Sequence, residues 1–335
     1  MEDKVNKIRI GVVGVGKLGS LHAKMLSQIK NADLVGIFDV DKTRADSIAK
    51  EYKTNVYSSL ENLLNDVDGI TIATPTTMHY DTAIVAVEAG KHVFIEKPIT
   101  QSSIEGEKLV NRAKEKGVII QVGHIERFNP AILAVETHNI NPMFIESHRL
   151  SQFNPRGTDV AVVLDLMIHD IDIILSLVKS PVNMIQANGV SVVSDTIDIA
   201  NARLQFENGC VANVTASRIS QKKMRKMRLF QKDAYISIDF LDLNAEVFRL
   251  IDSPDYAGRG TKLLGSIGEG SRRRNIVYEK PKIKDVNALK YELELFLESI
   301  ESGKPPVVSG EDGLNALRVA QQIMDSIEKQ KINTI

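Results

Sequence analysis

The sequence predicts an α/β protein in two parts. A doubly wound parallel sheet occupies residues 1–125, and residues 126–335 form an α+β half, a mainly antiparallel sheet backed by one or two helices. Two observations carry this. Short, unalternating apolar runs between amphipathic stretches fill Ile8 to Val122, as in parallel strands covered on both faces. After Phe128 the apolar residues alternate over long runs, as in strands with one solvated face. The 335 residues, 43% hydrophobic and 25% charged, suffice for two cores.

In the first half the strand runs are IRIGVVG, DLVGIFD, GITIAT, HVFIEK and VIIQVG. Helices are predicted over Gly19 to Ile29, Thr43 to Tyr52 and His79 to Ala89. In the second half HNINPMFIESHRLSQF reads as strand, followed by the apolar helix containing VLDLMIHDID. Then come the alternating runs VNMIQANGVSVV, DIANARLQFENGCVANVTASRI, KMRLFQKDAYISIDFL and AEVFRLID, with a hairpin signal at Asn208-Gly209. Tyr256 to Asn275 has no period and reads as a surface loop. Two helices close the chain, Val286 to Ser302 and Gly310 to Lys329, separated by the breaker SGKPPVV.

A net charge of −1 gives no field for nucleic acid or anionic membranes, and no apolar run reaches the ~18 residues of a span. The single cysteine, Cys210, and a first segment without a signal-peptide core point to the cytoplasm.

Gly14-Val15-Gly16-Lys17-Leu18-Gly19 reads G-x-G-x-x-G between the strand IRIGVV and a helix, the context a dinucleotide fingerprint requires. Its glycines permit a tight turn, close approach of a pyrophosphate and close helix–strand packing, so this half is a Rossmann domain. Asp39 ends the second strand, where a carboxylate bonds ribose hydroxyls and repels a 2′-phosphate. That favours NAD over NADP, although Lys42 and Arg44 follow closely.

Together with the stretch IATPTTMHYDTAIVAVEAGKHVFIEKPIT and the later DLMIHDID, this loop resembles the glucose–fructose oxidoreductase / inositol dehydrogenase / MocA family along essentially the whole chain. The resemblance implies roles for particular residues. Lys97, in Glu96-Lys97-Pro98, becomes the active-site lysine ahead of a commonly cis proline. Thr74, Pro75, His79 and Glu96 border the cofactor, and Asp165 and His169 form the catalytic pair. The chain departs from many members in having Ala161-Val162-Val163 and Met167 where they carry glycines, which predicts a bulkier pocket floor.

On an α-helix Asp165, His169 and Asp172 share one face, whereas Asp170 points elsewhere, solvated or locally paired. Histidine titrates near neutral pH and suits the proton of an alcohol being oxidised, with Asp165 orienting it. Lys97 suits the developing alkoxide or could itself take the proton, and sequence leaves the two bases equal.

Gly123-His124-Ile125-Glu126-Arg127-Phe128-Asn129-Pro130 resembles the ERFNP of members acting on nucleotide sugars. Arg127 there either binds substrate or pairs with an acid nearby. In SRISQKKMRKMRLF the alternate Lys226 and Arg228 either neutralise a diphosphate or belong to a solvated hairpin. Arg156 is a further candidate contact. The resemblance thus implies an NAD-dependent oxidation of a sugar's secondary hydroxyl, on a nucleotide sugar at C3 (UDP-N-acetylglucosamine type). A free sugar or cyclitol substrate is the alternative, and a non-catalytic NAD sensor a third reading. No metal, nucleic acid or membrane is implied. The resemblance also implies a large open sheet in the second half, whose exposed face predicts a homodimer or homotetramer.

Overall fold

The computed structural model describes residues 7–154, 160–252, 260–270 and 273–332. Arg156 lies outside them. The chain forms two compact units, Met1–Phe128 with Asn287–Arg318, and Asn129–Val286 with Val319–Ile335. A single boundary near residue 125 therefore does not describe it, because a later stretch returns to the first unit.

In the first unit β1 (Ile8–Val13), α1 (Lys17–Leu26), β2 (Ala32–Phe38), α2 (Lys42–Tyr52), β3 (Asn55–Val56), α3 (Leu60–Asp66), β4 (Gly69–Ile72), α4 (His79–Glu88), β5 (His92–Glu96), α5 (Ser103–Lys116) and β6 (Ile120–Gly123) follow in order. The parallel sheet has the order β3-β2-β1-β4-β5-β6, the Rossmann arrangement that opens a crevice at the switch between β1 and β4. Burial of every residue of β4 and β6 explains why their sequences do not alternate. α5 starts on a reciprocal Ser102/Glu105 capping box and stops at Gly117, whose φ of 66° suits glycine.

α8 (Ala288–Ser302) completes this core. Leu293, Phe296 and Leu297 are fully buried in one cluster with Ile10, Val12 and Phe94. The rings of Phe94 and Phe296 meet edge to face at 5.8 Å.

In the second unit α6 (Pro130–Leu133) precedes β7 (Phe144–Leu150), a π-helical turn (Val163–Met167), α7 (Ile168–Val178) and β8 (Val182–Val190). Then follow β9 (Ile199–Phe206), β10 (Val211–Ser217), β11 (Met224–Phe230), β12 (Ala234–Asp239), β13 (Asn244–Ile251), β14 (Thr261–Ile267) and β15 (Arg274–Glu279). The last helix, α9 (Gly310–Ile332), passes from one unit into the other. The nine-stranded sheet has the order β14-β15-β13-β12-β11-β7-β10-β9-β8, antiparallel except where β10 runs parallel to β7.

The two sheet faces differ. On β7, Ile145, Ser147 and Arg149 are buried, and the latter two bond to Asp170 on α7. The opposite face is open. Phe144, Phe230, Tyr235, Phe248 and Tyr278 form a ladder of tilted rings there, 5.0–5.7 Å apart across five neighbouring strands.

One expectation fails. The supposed loop Tyr256 to Asn275 contains β14, an edge strand paired antiparallel to β15. A bulge between Leu263 and Gly265, with φ of 152° at Gly265, breaks the alternation that would have marked it. Among the described residues no helix is long and apolar enough to cross a membrane, and no cluster suits a metal ion.

Candidate active site

The glycine loop leaves β1 and enters α1 through three positions with different demands. Gly14 has φ of 80°, which only glycine adopts without strain, and a Cβ there would lie 2.9 Å from the Thr74 methyl. A Cβ on Gly19 would lie 1.8 Å from the Gly14 carbonyl oxygen, so helix and loop touch through the missing side chain. Around Gly16 nothing stands within 4 Å of a Cβ, so the backbone is bare to a ligand. Gly16 is also the N-cap of α1 and makes no side-chain capping bond, which leaves first-turn N–H groups and the positive helix end for phosphates. Val15, Lys17 and Leu18 complete the loop, with Val15 buried and Leu18 exposed.

Asp39 closes the second strand's end onto this loop. Its carboxylate accepts from Val15 N at 2.7 Å and from Asp41 N at 2.8 Å, and Arg44 Nη1 stands 3.6 Å away. Thr74 borders the loop with its buried Oγ1 lacking a hydrogen-bond partner among the described residues. A bare glycine turn, a free helix end, a fixed carboxylate and an orphaned hydroxyl fit a nicotinamide dinucleotide. Pro75 starts the 3₁₀ turn that leads into α4.

His79 serves this loop from behind. It is buried, with Nδ1 2.9 Å from the Pro98 carbonyl and Nε2 3.0 Å from the Thr74 carbonyl. Burial pushes its pKa down despite those carbonyls and Glu96. A neutral imidazole has one N–H, so the ring donates to one of these carbonyls and packs against the other, between the Thr74 loop and the segment after Lys97.

Lys97 follows β5, is half-buried, and its bond to Pro98 is cis. Glu96 is held by His22 of α1, whose buried Nε2 lies 3.0 Å from Glu96 Oε1. Burial pushes the Glu96 carboxyl up, but the His22 bond and charge, with Lys97, pull it further down, below the usual carboxylate range. Glu96 thus stays an anion beside Lys97. Gly123 makes room for it, since a Cβ there would sit 3.0 Å from the carboxylate. Sequence reasoning missed His22. Its signal was a histidine three residues after Gly19, on the face of α1 that turns to the sheet.

In the second unit Asp165 lies within the π turn and His169 in the first turn of α7, both half-buried. A π turn holds more than four residues, so positions four apart still fall near one face, and π turns concentrate at functional sites. Of the residues expected to make the helix entry and pocket floor bulkier, Val162, Val163 and Met167 are fully buried and Ala161 is half-buried. Asp172 is buried too. Asp170, read as solvated or locally paired, is neither. Its carboxylate takes Arg149 Nε at 2.5 Å and Ser147 Oγ at 2.8 Å across the sheet, with Arg149 and Asp170 each 2% exposed. An apolar helix keeps such a charge because a buried partner neutralises it.

The basic residues separate. Arg127 stands 3.8 Å from Asp312 within the first unit. Arg218 is buried beside Asp198 and donates to the Val160 carbonyl just ahead of the π turn. Burial pushes the Asp198 carboxyl up, but the Ser194 hydroxyl at 2.7 Å and the N–H groups of Val193, Val192 and Ser194 at 2.7–3.0 Å outweigh it and hold its pKa far below normal. Lys226 and Arg228 lie opposite His148 and Glu146 of β7, on the open face away from α7.

Substituting Gly19 by alanine tests the loop. The new Cβ has no room beside a backbone carbonyl, so helix and loop must part. We expect at least a 10-fold weaker NAD dissociation constant by fluorescence titration and a lower Tm. A variant that binds NAD as the wild type does would exclude the role given to this contact.

Comparison with known proteins agrees with these features. Residues 8–124 match the model of the oxidoreductase family with an NAD-binding Rossmann fold, and residues 131–237 match the GFO/IDH/MocA C-terminal domain. The chain is 36% identical over 322 residues to UDP-N-acetylglucosamine 3-dehydrogenase of Acidithiobacillus ferrooxidans, covering 96% of this chain and 97% of that protein. It is 26% identical to myo-inositol 2-dehydrogenase of Thermotoga maritima, covering 97% of each. A crystal structure of the Acidithiobacillus enzyme superposes with a TM-score of 0.85 at 35% identity, over 96% of this chain and 98% of that one.

Proposed function

Since the chain belongs to the GFO/IDH/MocA family of oxidoreductases, we propose that it oxidises the C3 hydroxyl of a nucleotide sugar of the UDP-N-acetylglucosamine type with NAD. The observation that carries the substrate reading is the full-length likeness to a UDP-sugar 3-dehydrogenase, higher in identity than that to the inositol enzyme. When bound, the nicotinamide accepts the hydride. Gly14 to Gly19, Asp39 and Thr74 hold the dinucleotide, and the Asp39 carboxylate disfavours a 2′-phosphate.

Lys97 donates from its ammonium to the substrate oxygen and stabilises the developing alkoxide, with anionic Glu96 beside it. With Lys97 protonated, an imidazole nitrogen of His169 takes the hydroxyl proton and Asp165 orients His169; in the alternative arrangement Lys97 enters as the neutral amine and takes that proton itself. The free-cyclitol reading rests on the inositol dehydrogenases among the relatives. A sensor without turnover gains nothing from keeping Lys97, Asp165 and His169 together. A lone buried cysteine supports a reducing, cytoplasmic setting, and the aromatic ladder on the open sheet supports a homodimer or homotetramer.

The test follows NADH absorbance with NAD and, separately, NADP, offering UDP-N-acetylglucosamine, its uronic acid, glucose and myo-inositol. Reduction of NAD by a UDP-sugar alone is expected. Turnover with myo-inositol alone would replace the substrate reading, and preference for NADP would overturn the cofactor reading.

A further inference from the structure

Asp198 and Arg218 are buried charges of the second unit that the proposed chemistry does not use. Asp198 directly precedes β9, and Arg218 directly follows β10. They are joined twice. Arg218 N donates to the Asp198 carbonyl at 3.0 Å, and Arg218 Nε stands 3.9 Å from Asp198 Oδ1. The carboxylate also gathers the Ser194 hydroxyl and three consecutive N–H groups, so the segment between β8 and β9 closes around it.

Stability alone gives no reason for this arrangement. Two charges taken out of water often stabilise a fold no better than an apolar pair of their size, whereas directed bonds select one geometry. The geometry selected here is that of the entry to the π turn. Arg218 Nη2 donates to the Val160 carbonyl. Val162 N donates at 2.9 Å to the carbonyl of Ile197, the residue before Asp198.

Between those two anchors, the Ala161 carbonyl accepts from Leu164 N at 3.0 Å and from Asp165 N at 3.1 Å. A continuous path therefore runs from Asp198 through Arg218 and Val160-Ala161 to the backbone of Asp165. Val162, the N-cap of the turn, makes no side-chain capping bond that would hold the entry by itself. A π turn departs from the α-helical register, so where it begins decides which way Asp165 and the residues after it point.

We propose that Arg218 and Asp198 are positioning residues for the reaction, which set the entry of the π turn and through it the placement of Asp165 and His169. This rests on the reading of Asp165 and His169 as the pair that handles the proton.

Arg218→Met removes the guanidinium and keeps much of the stem. In the unliganded full chain with isotope-labelled histidine, the His169 ring resonance is assigned by its absence from His169→Asn. Arg218→Met shifts that resonance, and Arg218→Lys, which keeps the charge, returns it part of the way. With NAD and UDP-N-acetylglucosamine, Arg218→Met lowers kcat at least about 10-fold, as small misplacements of reacting groups do. Its NAD dissociation constant stays within about twofold of wild type, because the dinucleotide contacts belong to the first unit. Should the methionine variant fold poorly, Asp198→Asn gives the same two readouts, since it loses the charge and keeps an acceptor for the loop. A pair that merely supports the fold would lower Tm and leave the ring resonance and the kcat of folded protein at wild-type values, which overturns the proposal. His169→Asn separates the failures. Wild-type kcat in that variant refutes the reading of the pair itself, whereas a loss there beside an unaffected Arg218→Met refutes the positioning role. If UDP-N-acetylglucosamine is not turned over, the ring resonance decides alone, and an unshifted one overturns the proposal.

Discussion

Replacing Lys97 by methionine is expected to lower kcat by between about 10²- and 10⁴-fold while NAD binds as before. The methionine keeps much of the stem's volume and removes the ammonium. The dinucleotide contacts run through Gly14 to Gly19, Asp39 and Thr74, none of which changes. Stopped-flow reduction of NAD with saturating sugar nucleotide, beside a fluorescence titration of NAD, reads the two effects separately. Equal losses in both would show that Lys97 supports the dinucleotide site and is no catalytic group. Wild-type kcat would remove it from the chemistry altogether. The cause lies in the anion beside it. Glu96, held ionised by His22, favours a protonated lysine, so the substrate oxygen meets a donor as its charge develops.

The largest effect on stability is expected at Arg149. Arg149→Met leaves the Asp170 carboxylate buried without its cation and should cost about 3–5 kcal/mol in urea unfolding. The double variant Arg149→Met/Asp170→Leu removes both charges and should recover most of that loss, because an apolar pair of similar volume avoids desolvation. A double variant as unstable as the single one would mean that the arginine's packing, and not the uncompensated charge, sets the cost.

Much of this arrangement was legible in the residues. The first unit's buried strands announce themselves as unbroken apolar runs, and the glycine loop is legible because Gly14 and Gly19 answer local steric demands. The lysine and the Asp–His pair came only through family resemblance, since nothing local distinguishes Lys97 from a surface lysine. Other features depend on partners distant in sequence. Asp170 looked solvated because its cation stands on a strand 21 residues earlier. The phase of β11 could not be read from SRISQKKMRKMRLF, where cations occupy both alternations, and only the pairing with β7 assigns Arg225 to one face and Lys226 to the other. The amphipathic stripe of α8 was visible, but not the sheet it covers. Gly265 and its bulge hid β14 by breaking the alternation.

The return of Asn287–Arg318 to the first unit has a consequence for how the chain is made. Ribosomal synthesis releases β1 through β6 long before α8, and the whole of Asn129–Val286 must be translated in between. At about 5–20 residues per second that is a wait of roughly ten to thirty seconds. Throughout it, the surface around Ile10, Val12 and Phe94 lacks the cover of Leu293, Phe296 and Leu297. The first unit thus carries uncovered apolar surface until the end of the message is read, and a fragment cut at Phe128 keeps that exposure permanently.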